Sequence, residues 1–209
     1  MSQYFNIHLD NPQARLIAQT ADILRAGGVI AYPTDSGYAL GCMVGSSGDA
    51  QTRIRQIRGL DDKHLFTLVC RNLSELGNYA IVSNSQFRLL KANTPGAYTF
   101  ILQATREVPR KLQNPKRNTI GIRVPQHTVV QAILDAIDAP MLSMTLHLVD
   151  EDDALSEAWQ IRDKLEHVVD LVIDVGHCVS GATSVIDLTG DVPSLIRAGQ
   201  GDLAPFDLD

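Results

Sequence analysis

No apolar run in this 209-residue chain reaches the roughly 20 residues that a membrane-spanning helix needs. Met1 to Asp10 also lacks the basic-then-apolar layout of a signal peptide, so the cytoplasm is the expected compartment, with no membrane partner. Cysteine is scarce. Cys42, Cys70 and Cys178 are widely spaced and form no C-x-x-C pair, which removes support for a zinc ribbon or a thiol redox motif. Each lies in or beside an apolar run and is expected as a small buried hydrophobe. The six histidines show no H-E-x-x-H or similar spacing, so no metal ligands are assigned. The sequence has no G-x-x-x-x-G-K-S/T, Gly37 to Gly41 is not G-x-G-x-x-G, and there is no G-x-S-x-G elbow. The standard nucleotide loops and a hydrolase triad are therefore unsupported. Aromatics are only 5% of residues, leaving aliphatics and alanine to build the core.

What the chain does have is an uneven charge. The net charge is −6, yet Arg53 to Arg123 holds 13 basic and four acidic side chains, or +9, leaving −15 for the remainder. A basic middle within an acidic shell suits a polyanionic ligand such as a nucleotide or RNA. No repeat, low-complexity segment or linker interrupts residues 1–209, so one domain is expected.

Helical spacing predicts a first helix over residues 11–26, capped by Asn11 with Pro12 in its first turn and stopped by Gly27. Asp49 is expected to cap a second helix through Ile57. Ser83 to Gln86 reads as a capping box ahead of a third, ending near Asn93. His127 to Ile137 reads as a further helix, and Ser156 is expected to cap the last. Strands are predicted at 29–32, 38–42, 65–70, 97–102, 119–124, 141–148, 171–175, 183–188 and 194–197. A basic helical turn is expected over 107–112 and an acidic loop over Asp150 to Asp153. Strands and helices alternate through the first two thirds and then strands cluster, which predicts an α/β fold with a single twisted mixed sheet and flanking helices.

The stretch from Gly27 to Gly41 organises the site. A strand expected to stop at Pro33 releases Thr34, Asp35 and Ser36 into a glycine-flanked turn at the mouth of the sheet. Other polar groups sit at separate strand ends: Arg58, Lys63 and His64, Thr99, Arg123, Thr183 and Ser184, and Arg197. Ser143, Thr145 and His147 alternate and so are expected on one face of one strand. Hydroxyls and guanidinium forks converging in this way make a phosphate or carboxylate cradle.

These motifs, in this order, resemble the YrdC-like family, most nearly its YciO subgroup. Gly28-Val29-Ile30-Ala31-Tyr32-Pro33-Thr34-Asp35 with Tyr38-Ala39-Leu40-Gly41 resembles the family's glycine-led opening. Asn93 to Thr99, Thr119 to Pro125, Pro140 to His147, Thr183 to Asp187 and Ile196 to Gly199 resemble its later motifs. The resemblance covers about residues 10–200. It implies a concave basic surface and L-threonylcarbamoyladenylate synthase chemistry, with ATP and Mg²⁺, L-threonine and bicarbonate as substrates, feeding modification of a tRNA adenosine. It also implies binding of tRNA or double-stranded RNA. By position, Thr34, Arg123 and Ser143 would hold threonine. Arg58, Thr145 and His147 would act on the ATP phosphates, and Lys63, Thr183, Ser184 and Arg197 would contact nucleotide. Arg110, Lys111, Lys116 and Arg117 are the expected RNA contacts.

Two departures separate the chain from the family pattern. Leu60 stands where an arginine is usual, and His147 where an asparagine is usual. A hydrogen bond to a charged group is worth about 1.5–3 kcal/mol, so a lost arginine costs roughly one to two decades in rate if it acts in the transition state. Lys63 or His64 are the residues placed to compensate. Two functions follow: a synthase of reduced or altered activity, and alternatively a non-catalytic RNA- or nucleotide-binding protein.

Overall fold

The computed structural model describes residues 1–46, 48–148 and 155–208. The expected acidic loop at Asp150 to Asp153 lies outside them. In chain order the strands are β1 (Gln3–Asn6), β2 (Ile30–Thr34), β3 (Gly37–Met43), β4 (Thr67–Val69), β5 (Ala80–Ile81), β6 (Tyr98–Ala104), β7 (Thr119–Arg123), β8 (Met141–Thr145), β9 (Leu171–Asp174), β10 (Ser184–Asp187) and β11 (Ser194–Arg197). The helices are α1 (Ala14–Arg25), α2 (Gly48–Ile57), α3 (Leu73–Tyr79), α4 (Asn84–Asn93), α5 (Thr128–Ile137) and α6 (Ala158–Leu165). The strands form one sheet in the order β1-β9-β2-β3-β8-β4-β7-β6-β10-β11, with β5 beside β6. It is mixed. β9 lies parallel to β1 and β2, β4 to β7 and β10 to β6, while the remaining neighbours are antiparallel.

Several local expectations change. α1 begins at Ala14, because His8 Nδ1 accepts the N–H groups of Asp10 and Asn11 while Gln13 Oε1 accepts that of His8. Those bonds hold Asn11 and Pro12 in a turn before the helix. Asp49 sits in the first turn of α2 rather than at its cap, and Glu157 rather than Ser156 precedes α6. The basic turn is a single 3₁₀ turn, Arg110–Leu112. The Ser83/Gln86 capping box forms as read. Pro33 lies inside β2, which continues to Thr34. Beyond Ala31, β2 has no pairing to β9, so the missing N–H of proline costs no ladder bond there.

The two faces of the sheet differ. On one, Leu40, Leu68, Phe100, Ile122 and Ile186 pack with Ile54 of α2, Leu76 of α3, Leu90 of α4 and Ile161 of α6. On the other, α1 and α5 bury Ile17, Leu24, Ile133 and Leu134 against Ile30, Tyr32, Ala39 and Leu171. That cover ends at the middle of the sheet, and a cavity opens beyond it.

Candidate functional site

The cavity floor is a row of small and hydroxyl side chains set by strand register. Gly41 pairs with Ser143, Ser143 with Thr67, Thr67 with Gly121, and Gly121 with Ile101. Directly paired residues share a face, so the row lies on the side left open by α1 and α5. Gly41 is required there: a Cβ would fall 2.8 Å from Cε1 of Tyr32. The Tyr32 ring runs beneath it and donates from its hydroxyl to Ser143 Oγ at 2.7 Å. Burial pushes that phenol up to about 12, so it stays a donor at neutral pH. The cavity holds about 340 Å³.

At one end lies the hairpin turn between β2 and β3. Thr34 Oγ1 donates to the Gly37 carbonyl at 2.6 Å and accepts the Ser36 N–H at 3.1 Å. Gly37 closes the turn at φ +117°, a conformation that favours glycine. Cys178, buried as expected, lies against the Thr34 carbonyl with Sγ 3.7 Å away. Arg123 ends β7 and reaches this turn. Its Nη1 donates to Ser36 Oγ at 3.1 Å, its Nη2 pairs with Asp35, and its buried Nε has no partner.

Arg58, just past α2, donates from Nη1 to the His147 carbonyl, and its buried Nε likewise has no partner. Arg197, closing β11, donates to the Thr183 carbonyl and to Thr183 Oγ1, which is itself 2.9 Å from Thr99 Oγ1. Burial lowers both guanidinium pKa values, and for Arg197 the nearby charge of Arg123 adds to the effect. Arginine nevertheless remains protonated. His64 lines the cavity beside Arg58, and burial and then that positive charge lower its pKa, favouring the neutral imidazole. Arg117 also lines the wall, bonded to Asp187 Oδ2 at 2.7 Å. Burial raises the Asp187 pKa, but Thr189 and Arg117 outweigh it and hold the carboxyl below its usual range.

Thr34, Arg58, Arg123, Ser143, Thr145, Thr183 and Arg197 thus meet in one cavity. Four other expected residues stand elsewhere. β8 stops at Thr145, so His147 does not continue its face and offers Arg58 a backbone carbonyl. Ser184 is fully buried, donating to the Gly201 carbonyl and accepting the Gly199 N–H, and it ties down the C-terminal segment. Lys63 is exposed off the wall, whereas its neighbour His64 is on it. Arg117 leaves the surface group of Arg110, Lys111 and Lys116 for its pairing with Asp187. Leu60 packs against the apolar core rather than facing the cavity. The sequence reading missed Thr67, Asn114 and Thr119 as lining residues. The alternation Thr119-x-Gly121-x-Arg123 was the available signal.

Among the described residues there is no cluster of histidine, cysteine or carboxylate side chains fit for a metal, and none of those lining the cavity is a carboxylate. Among the described residues no helix is long and apolar enough to cross a membrane.

Behind Arg123, His127 precedes α5 with its buried Nδ1 unpartnered, and burial pulls its pKa down to about 4. The unfolded chain takes a proton near its ordinary value of about 6.5, so stability is complete above that pH and declines as pH falls toward 4. The expected loss between pH 7 and 5 is about 1–2 kcal/mol, and His127→Gln is expected to remove it. Denaturant titrations of both proteins at the two pH values measure this, and equal pH slopes would contradict it.

Residues 22–199 match the Sua5/YciO/YrdC family, described as telomere recombination. YciO of Escherichia coli (strain K12) is 54% identical over 206 residues, covering 99% of this chain and 100% of that protein. A Haemophilus influenzae protein is 54% identical over 207 residues, with the same two coverages. The crystal structure of E. coli YciO superposes with a TM-score of 0.93 over 99% of this chain and 100% of that one. P. abyssi Sua5 in complex with L-threonine has the same fold at 22% identity and a TM-score of 0.85, covering 95% of this chain and 58% of that one. With the motif order, the open sheet face and these likenesses together, the chain belongs to the Sua5/YciO/YrdC family.

Proposed function

We propose that the protein is a threonylcarbamoyl-AMP synthase-like enzyme acting on ATP, L-threonine and bicarbonate. One observation carries the reading: Arg58, Arg123 and Arg197 converge on one cavity, and two of them carry buried N–H groups without partners. A buried unpaired donor costs about 1–3 kcal/mol, which an anionic ligand recovers. The Sua5 structure of the same fold was solved with L-threonine.

In this reading Thr34, Ser36 and Arg123 receive threonine. Its amine adds to the bicarbonate carbon and water is expelled, leaving a carbamate. A carbamate oxygen then attacks the α-phosphate of ATP, the bond from that phosphorus to the bridging oxygen breaks, and pyrophosphate leaves. Adenylyl transfer requires alignment and neutralisation of charge, which guanidinium forks supply without a dedicated base. Arg58 and Arg197 face the phosphates, with His64 as a neutral hydrogen-bonding partner beside Arg58. Mg²⁺ enters as part of the ATP substrate, bound to its phosphates. Purified protein with ATP, Mg²⁺, threonine and bicarbonate is expected to release pyrophosphate and form threonylcarbamoyl-AMP, detected by mass spectrometry. No product above a buffer blank at high protein concentration would refute the reading.

A second reading rests on Arg106, Arg110, Lys111 and Lys116, exposed cations that make no ion pair among the described residues. They suit an RNA backbone. Reversing Arg110, Lys111 and Lys116 to glutamate is expected to flatten the salt dependence of tRNA binding in a titration, each lost phosphate contact lowering the slope by about 0.7–0.9. An unchanged slope would exclude this surface.

A further inference from the structure

We propose that Asp35 is a positioning residue that aims the Arg123 guanidinium into the threonine end of the cavity, an inference resting on the synthase reading above. Asp35 is not itself on the cavity wall, whereas Arg123 is. One Asp35 oxygen accepts from Arg123 Nη2, and the other accepts the Gln126 N–H at 2.7 Å. Gln126 lies in the segment leading from β7 into α5, so the carboxylate is braced by backbone before it meets the guanidinium. Ser36 Oγ takes Nη1. With both ends of the fork held from behind, the planar guanidinium has one orientation, and its unpartnered Nε is fixed with it. Both side chains are nearly buried, 8% and 11% exposed, so water does not substitute easily for either partner.

Charge is the second consequence. Asp35 compensates Arg123, and Asp187 compensates Arg117, whereas among the described residues Arg58 and Arg197 bond only to neutral oxygens. Asp35 therefore balances the charge of Arg123, which suits a zwitterionic amino acid beside it.

The experiment is steady-state kinetics on the full chain with Asp35→Asn and Asp35→Glu, varying threonine and ATP separately. The expected result for Asp35→Asn is a KM for threonine raised about 10- to 100-fold, with the KM for ATP within about threefold, the pattern of lost binding at one end of the cavity. Asp35→Glu keeps the charge but displaces the fork, and is expected to raise the threonine KM about 3- to 10-fold. It also decides the matter if Asp35→Asn does not fold. In a cycle with Arg123→Lys, the double variant is expected to lose no more threonine affinity than Arg123→Lys alone, because Asp35 acts through Arg123. Threonine and ATP KM values rising together, an unchanged threonine KM in Asp35→Glu, or additive losses would each overturn the proposal. Wild-type protein that forms no product would instead refute the synthase reading, so the two failures are distinguishable.

Discussion

Alanine at Arg58 is expected to reduce threonylcarbamoyl-AMP formation by about 10²–10³-fold, the range seen when one preorganised donor to developing charge is removed. Arg58 combines three features that no other wall residue shares. Its side chain is anchored by Nη1 on the His147 carbonyl, its buried Nε has no partner, and among the described residues no carboxylate pairs with it. On the synthase reading, its charge is therefore preorganised for the triphosphate. Arg58→Lys keeps the charge but loses the planar fork, so a smaller decrease, about tenfold, is expected. Pyrophosphate release under single-turnover conditions measures both variants. The thermal midpoint should scarcely move, because the deletion leaves only an exchangeable carbonyl behind. A loss of less than threefold in Arg58→Ala would remove Arg58 from the chemistry. Leucine at position 60 does not compete with this assignment, since it packs into the core.

The largest effect on stability is expected at Phe100. It is fully buried in β6, stacked on Tyr98 with ring centroids 5.5 Å apart and tilted against Phe206 at 5.9 Å. Phe100→Ala removes the ring from a packed site, and such truncations cost about 3–5 kcal/mol. For a chain of this size that corresponds to a fall of roughly 6–20 °C in the thermal midpoint. Phe100 points to the helix-covered face, while its neighbours Thr99 and Ile101 line the cavity. Substrate KM values should consequently change little at temperatures where the variant remains folded. Calorimetry of the two proteins tests this, and a shift under 3 °C would show that the aromatic cluster does not brace the sheet.

Reading the sequence located elements better than edges. The capping box at Ser83 and Gln86 needs only atoms three residues apart, and it forms as read. Asn11 was a sound cap by local chemistry, but His8 and Gln13 claim the donors of that turn first, and the helix starts later. Pro33 reads as a strand end by its missing N–H, and this holds only if a partner needs that N–H. Whether β2 has one is decided by how far β9 extends beside it. His147 fits the alternation of Ser143 and Thr145, yet β8 ends before it.

The sequence by itself determined which residue types line the cavity, because a hydroxyl turn at Thr34 and arginines at the ends of several strands recur in a recognisable order. It also determined the α/β class, because hydrophobic period and turn residues are local properties. Only the tertiary structure decided which arginines are spoken for. Arg117 is paired with Asp187 70 residues away, and Arg123 with Asp35 88 residues away, while Arg58 and Arg197 have no carboxylate partner among the described residues. Ion pairing depends on distance in space, which strand order and register set across the sheet, and no window of the sequence contains it.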